Sequence, residues 1–115
     1  MKFNVPQNIH HCDDVIRCVF NFNSLDMATY TTLKKIGESR ADKLARLMRR
    51  ERSTIYRSLQ KLTQCGICTK QTKTLPQGGY FHTYICNDTQ DIKKRVAQCI
   101  ESWYTQMQEI LNQFE

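Results

Sequence analysis

The sequence predicts a mainly α domain with a β-hairpin wing, extended by a long C-terminal helix. Three observations lead there. Apolar residues recur at helical spacing in four successive stretches before position 65. Two runs rich in Thr, Tyr, Ile and Phe, 67–74 and 80–87, flank Leu75-Pro76-Gln77-Gly78-Gly79, a turn signal with flexible glycines at its tip. From Asp88 to Phe114 the pattern is helical without a break, with Asp88 and Asp91 at its start.

Each element has its own warrant. Over 9–20, Ile9, Cys12, Ile16 and Val19 fall at steps of three and four, one face of a short helix. Asn21-Phe22-Asn23 interrupts it. Ser24 is placed to cap a second helix over 25–36, which stops at Gly37. A third helix begins at Ser39, with Asp42 three positions on as a short-armed capping box. Its buried stripe is Ala41, Leu44, Ala45 and Met48. The polar turn Arg49-Arg50-Glu51-Arg52 leads into a fourth helix over 52–64, which ends before Gly66. There Ile55, Leu59 and Leu62 stand at i, i+4 and i+7 and face the core. At about 100° per residue, Ser53, Arg57, Gln60 and Lys61 gather on the opposite side, with Thr54 at its edge. Two helices joined by a tight turn and followed by a hairpin make a winged helix-turn-helix. We assign it to 1–87 and give 88–115 the role of a dimerisation helix within the same unit.

Length and charge narrow the function. A chain of 115 residues suits one domain with one modest core. No apolar run approaches the roughly 20 residues that span a bilayer. Met1-Lys2-Phe3-Asn4-Val5-Pro6 lacks the apolar stretch of a secretion signal, so a cytoplasmic location without membrane contact is expected. The net charge is +6, but its distribution says more. Between Lys34 and Lys73 lie 12 of the 17 basic residues and only 3 of the 11 acidic ones. Positive charge gathered in one segment favours a polyanion, because neutralised phosphates release condensed counterions.

The stretch 25–67 resembles the archaeal TrmB-like winged-helix regulators and, more distantly, the MarR-type regulators. Leu25-Asp26 with Tyr30 and Leu33 before Gly37, then Ala41-Asp42-Lys43-Leu44-Ala45, carry the first part of the resemblance. Arg52-Ser53-Thr54-Ile55-Tyr56-Arg57-Ser58-Leu59 is its most specific stretch, and Leu62 and Gly66-Ile67 lead into the wing. The resemblance implies a transcriptional regulator whose helix 52–64 enters the major groove and whose dimers bind two-fold operators. Full-length relatives carry a large sugar-binding domain after the winged helix. Here 88–115 reads as a single helix, so no sugar effector is transferred and no small-molecule ligand is identified. Glu51 stands where many such helices have a Ser or Thr cap.

On double-stranded DNA, Lys and Arg contacts to phosphate supply affinity and a few side chains at base edges supply preference. Arg57 is the leading base reader, because its fork matches guanine O6 and N7 together. Ser53, Thr54 and Gln60 are secondary readers, while Arg40, Arg49, Arg50 and Arg52 suit the backbone. Tyr56 lies between core and groove, equally fit for packing or phosphate, and Lys61 adds charge to the outer face. Lys70, Lys73 and His82 arm the wing, 67–87, for the backbone or the minor groove.

In the last helix, Val96, Ile100, Trp103, Met107, Ile110 and Phe114 follow alternating steps of four and three, an a/d seam of about three heptads. Such a seam must be buried, against the N-terminal helices or against a second copy. A homodimer is preferred, since it matches palindromic half-sites. Among the six cysteines, Cys65-x2-Cys68 is a single C-x-x-C, with Cys86 across the hairpin and His82 and His10-His11-Cys12 as further ligand types. Without a second pair at suitable spacing it does not define a zinc site, and no cofactor is expected. Neither a phosphate loop nor a Ser, His and acid set at motif spacing is present, so an enzyme is not expected. Two alternatives stay open: a protein-binding winged helix of the transcription machinery, and a cysteine-based redox or metal sensor on the same frame.

Overall fold

Leu33, Leu44, Ile55, Leu59, Leu62 and Ile67 have no exposed surface, and together they fix how the helices meet. The computed structural model describes residues 11–114. In chain order it comprises α1 (Cys12–Phe20), α2 (Ser24–Ile36), α3 (Ala41–Met48), α4 (Arg52–Gln64), β1 (Cys68–Thr74), β2 (Tyr80–Cys86) and α5 (Thr89–Asn112). Among the described residues, five helices and one antiparallel hairpin make the expected winged helix-turn-helix with its long last helix. Ile9, His10, the opening hexapeptide and Glu115 lie outside the described residues.

The helix caps differ from expectation at two places. Asn23, not Ser24, caps α2: its side chain accepts from the Asp26 N–H at 2.8 Å, and Asp26 accepts from the Asn23 N–H at 3.0 Å. This reciprocal pair satisfies two free amides at once, which Ser24 one position later would not reach. The box at Ser39 also does not form. Arg40 is the N-cap of α3, and the Asp42 side chain accepts from the adjacent Lys43 N–H at 2.9 Å. Ser39 is used elsewhere: its N–H and C=O bond to the Tyr84 backbone at 2.9 and 2.8 Å, tying the entry of α3 to the middle of β2.

Helix α3 ends in a left-handed residue, Arg49 at φ 55°, and the Arg50 N–H returns to the Ala45 carbonyl at 3.0 Å. That closure makes the turn tight enough for α4 to start three residues later. The end of α4 repeats the device with Gly66 at φ 80°, and the Ile67 N–H bonds to the Leu62 carbonyl at 2.9 Å. A Cβ at Gly66 would also stand 3.1 Å from the Arg95 side chain. Glycine therefore answers both the backbone and the close approach of α5.

The hairpin pairs Cys68 with Cys86 through to Thr74 with Tyr80. Helix α5 then crosses back, burying Ile92 and Val96 in the same core as Ile16. Val96, expected in an intermolecular seam, is thus part of its own chain's core. Beyond it the helix is largely exposed through to Asn112, and the molecule is elongated, 64 Å by 25 Å by 25 Å.

The strongest polar link between helices joins α2 to α4. Asp26 is buried, accepts from Ser58 Oγ at 2.8 Å, and forms an ion pair with Lys61 Nζ at 2.6 Å. Burial pushes its carboxyl up, but the Lys61 ammonium, the Asn23 amide and the Ser58 hydroxyl outweigh that and hold it below its ordinary value. A carboxyl lowered in the fold contributes stability above its unfolded pKa and loses it as pH falls through the folded one. We expect Asp26→Ala to cost on the order of 2–3 kcal/mol in denaturant melts near neutral pH, since it leaves Ser58 without its partner. As pH falls from about 4 through the lowered folded pKa, the gap between wild type and variant should narrow by the part that the Lys61 ion pair contributes. An unchanged gap at low pH would contradict the assignment.

Candidate DNA-binding surface

Helix α4 shows two unlike faces. Ile55, Ser58, Leu59 and Leu62 are buried, while Arg52, Ser53, Tyr56, Arg57 and Gln60 are exposed. Thr54 is half-buried at the edge, as its angular position requires. Tyr56 belongs to the outer side, where its hydroxyl accepts from Gln60 Nε2 at 3.2 Å. Lys61 is the exception among the expected contacts. Its ammonium is committed to Asp26 and lies 5.6 Å from the Phe22 ring centre, so it braces α4 from behind. The 3.6-residue period alone could not reveal this, because Lys61 sits near the boundary between faces and a long side chain can turn either way.

Around this face the structure gathers more positive charge. Arg49 and Arg50 are exposed in the turn before α4, and neither they nor Arg52 and Arg57 make an ion pair among the described residues. Arg40 lies on the far side, 3.5 Å from Asp42 and stacked 4.7 Å over the Phe81 ring. The stack fixes a guanidinium between α3 and the wing. A cleft of about 200 Å³ separates α4 from the wing, with Arg40, Arg52, Tyr56, Tyr80 and His82 on its walls.

The wing is less free than its sequence suggests. Lys70 is exposed and stands opposite Tyr84, but Lys73 pairs with Glu38 at 3.3 Å. Glu38 also accepts from Thr83 Oγ1, and this bond with the Lys73 ammonium holds its carboxyl below the usual range. The exposed ion pair is weak enough to exchange for a phosphate. His82 hydrogen-bonds Thr72 at 3.2 Å and meets the Tyr80 ring edge-on. Tyr80, 68% exposed, was not singled out from sequence, although it opens the strand directly after the glycine tip.

The cysteines separate into distinct places. Cys65 caps the end of α4, where its ionisable neighbours include Cys99, Lys61, Arg95 and Asp26. Cys68 instead faces Cys86, with the two Sγ atoms 3.9 Å apart. His82 is four residues from Cys86 along an extended strand, roughly 13 Å away. The C-x-x-C pair, Cys86 and His82 therefore do not converge, and His10 lies outside the described residues. Among the described residues no cluster of three or more His, Cys, Asp or Glu could hold a metal ion.

On α5, Ile100, Trp103, Met107 and Ile110 are exposed, as are Tyr104 and Leu111, which the heptad reading passed over; Phe114, expected to close the seam, is exposed but lies past the helix, whose C-cap is Gln113. At about 100° per residue the six helical residues fall within an arc of roughly 120°, and Ile92 and Val96 continue it toward the core. Beside this arc, Cys18, Val19, Phe20, Cys99, Ile100 and Trp103 line a mostly apolar groove of about 370 Å³. No helix among the described residues is long and apolar enough to cross a membrane.

Residues 16–89, from α1 to the start of α5, match the family model described as the sugar-specific transcriptional regulator TrmB. The chain belongs to the TrmB family. The resemblance read from 25–67 thus extends over the whole winged helix. The chain is 27% identical over 103 residues to the uncharacterized protein MJ1503 of Methanocaldococcus jannaschii, covering 90% of this chain and 78% of that one. In structure it is similar to a possible transcriptional regulator from Methanosarcina mazei Go1, with TM-score 0.73, 24% identity, and 90% and 88% of the two chains covered. The ST1889 protein of Sulfolobus tokodaii gives TM-score 0.63 at 20% identity, covering 82% of this chain and 92% of that one. The two solved structures share the fold of this chain.

Proposed function

We propose that this TrmB-family chain is a homodimeric, sequence-specific regulator that inserts α4 into the major groove of double-stranded DNA. The observation that carries the reading is the outward face of α4. It exposes Arg52, Ser53, Tyr56, Arg57 and Gln60 without an acid among them, beside the unpaired Arg49 and Arg50. A helix of about 10–12 Å diameter fits the major groove, and its bases offer donor and acceptor patterns that Arg57, Ser53, Thr54 and Gln60 can read. Arg40, Arg49, Arg50 and Arg52 hold phosphates on either side. The wing follows the adjacent backbone through Lys70 and, after it leaves Glu38, Lys73. A protein-docking winged helix would expose apolar groups on α4 instead.

The dimer rests on α5. Its apolar arc is covered by α1 at Ile92 and Val96, then continues uncovered for about four turns. Exposed aromatic and aliphatic groups in such a row need a partner in water. A second copy of α5, seated along the arc and the groove beside Val19 and Phe20, covers it symmetrically and sets two copies of α4 on successive half-sites.

Two measurements test these assignments. In fluorescence anisotropy with the promoter duplex of its own gene, Arg57→Ala should lose about 1–3 kcal/mol of binding and its preference over a scrambled duplex. Arg50→Ala should weaken both duplexes alike and lower the salt slope by about one. Equal effects of the two substitutions would contradict the division of roles. In light scattering, wild type should have twice the 13.6 kDa chain mass, and Trp103→Glu with Ile110→Glu should reduce it to one chain. A wild-type monomer at micromolar concentration would overturn the dimer.

A further inference from the structure

Two thiols meet at the base of the wing. Cys68 and Cys86 are direct cross-strand partners with Sγ atoms 3.9 Å apart. The neighbouring pair, Ile67 and Asn87, carries a ladder bond from the Asn87 N–H to the Ile67 carbonyl at 2.9 Å. Cys68 and Cys86 thus occupy the position between ladder bonds, where Cα atoms approach to about 4.5 Å. That separation lies within the range that a disulfide spans. Closure needs the two sulfurs to move from 3.9 Å to about 2.05 Å, a distance that side-chain rotation and a small change of strand twist can supply.

The two sulfurs are chemically unequal. Cys68 is almost fully buried, whereas Cys86 is half-buried with its Sγ 3.8 Å from the Tyr30 carbonyl. The hydrogen bond between the two thiols and the Lys34 ammonium hold the Cys86 thiol below its ordinary value against the opposing effect of burial. That same hydrogen bond and burial push the Cys68 thiol up. Cys86 is therefore the group that reacts first.

We propose that Cys68 and Cys86 form a reversible dithiol–disulfide site, oxidised by a peroxide, that locks the base of the wing. The Cys86 thiolate attacks one oxygen of hydrogen peroxide; the S–O bond forms, the O–O bond breaks, and hydroxide leaves. Cys86 is now a sulfenic acid. The Cys68 sulfur attacks it, the S–S bond forms, and the hydroxyl leaves with the Cys68 proton as water. In sum two thiols lose two hydrogens and one peroxide becomes two waters. The bridge joins strands one residue from Ile67, at the exit of α4, and two residues from Tyr84, which anchors α3 through Ser39. Tightening there shifts the wing relative to α4. Its effect on DNA rests on the DNA-binding reading above, whereas the thiol chemistry does not.

The test uses the full chain, reduced, then titrated with hydrogen peroxide, quenched with an alkylating agent and mapped by non-reducing peptide mass spectrometry. The expected product is a Cys68–Cys86 cross-linked peptide that dithiothreitol reverses and that Cys86→Ser, folded by circular dichroism, cannot form. The site is overturned if both cysteines remain alkylatable while Cys18, Cys65 or Cys99 oxidise, or if Cys86 proceeds to sulfinic acid without a cross-link. In the same samples, duplex affinity should change several-fold on oxidation of wild type and not of Cys86→Ser. A cross-link with unchanged affinity overturns control of DNA binding. Absence of DNA binding in either state defeats the DNA reading, while the cross-link still decides the site.

Discussion

Asp26 joins the scaffold helix α2 to the back of α4, and the orientation of every exposed arginine on α4 depends on that junction. Apolar packing by Ile55, Leu59 and Leu62 presses α4 onto the core but leaves its rotation loosely defined, because aliphatic contacts are non-directional. A buried carboxylate held by the Asn23 backbone N–H, the Ser58 hydroxyl and the Lys61 ammonium adds direction. Turning α4 about its axis would break two of those bonds and leave a charge in the core. A hydrogen-bonded charge of this kind is costly to leave unpartnered, so the rotation is restricted.

The same arrangement separates the positive charge into two uses. Lys61 is spent inward on Asp26 and Lys73 sideways on Glu38, so the groups left for a partner are chiefly arginines. Arginine's planar fork matches phosphate and guanine geometry better than an ammonium does. Arg40 is held in place by stacking on Phe81, and Arg52 faces it across the cleft between α4 and the wing. The wing reaches this position because the Ser39–Tyr84 bridge ties β2 to the start of α3. Sheet, turn and α4 are therefore one mechanical unit.

Much of this was legible in the sequence for definite reasons. The bounds of α4 followed from its apolar period and from Gly66, and the hairpin followed from alternation around a Pro and Gly turn. What was not legible depended on contacts between residues far apart in the chain. Ser39 read as a helix cap because its local sequence suits one, yet Tyr84, 45 positions on, claims its backbone. Lys61 read as groove-facing because a helical wheel assigns angle but not the conformation of a long side chain. Asp26 was visible only as part of a family pattern, with no indication that it was buried. Val96 shares the heptad phase of Ile100 and Trp103, and only the position of α1 divides the covered part of that stripe from the open part.

In the proposed complex the outer face of α4 and the wing form one DNA-contacting surface, held from behind by Asp26. Backbone amide shifts of the labelled full chain, followed by NMR as a palindromic promoter duplex is added, test it most directly. Changes should concentrate at Arg49, Arg50, Ser53, Arg57 and Gln60 and along the wing near Lys70, with Asp26 and Ser58 little altered. Changes confined to α5, or none at low salt, would contradict it.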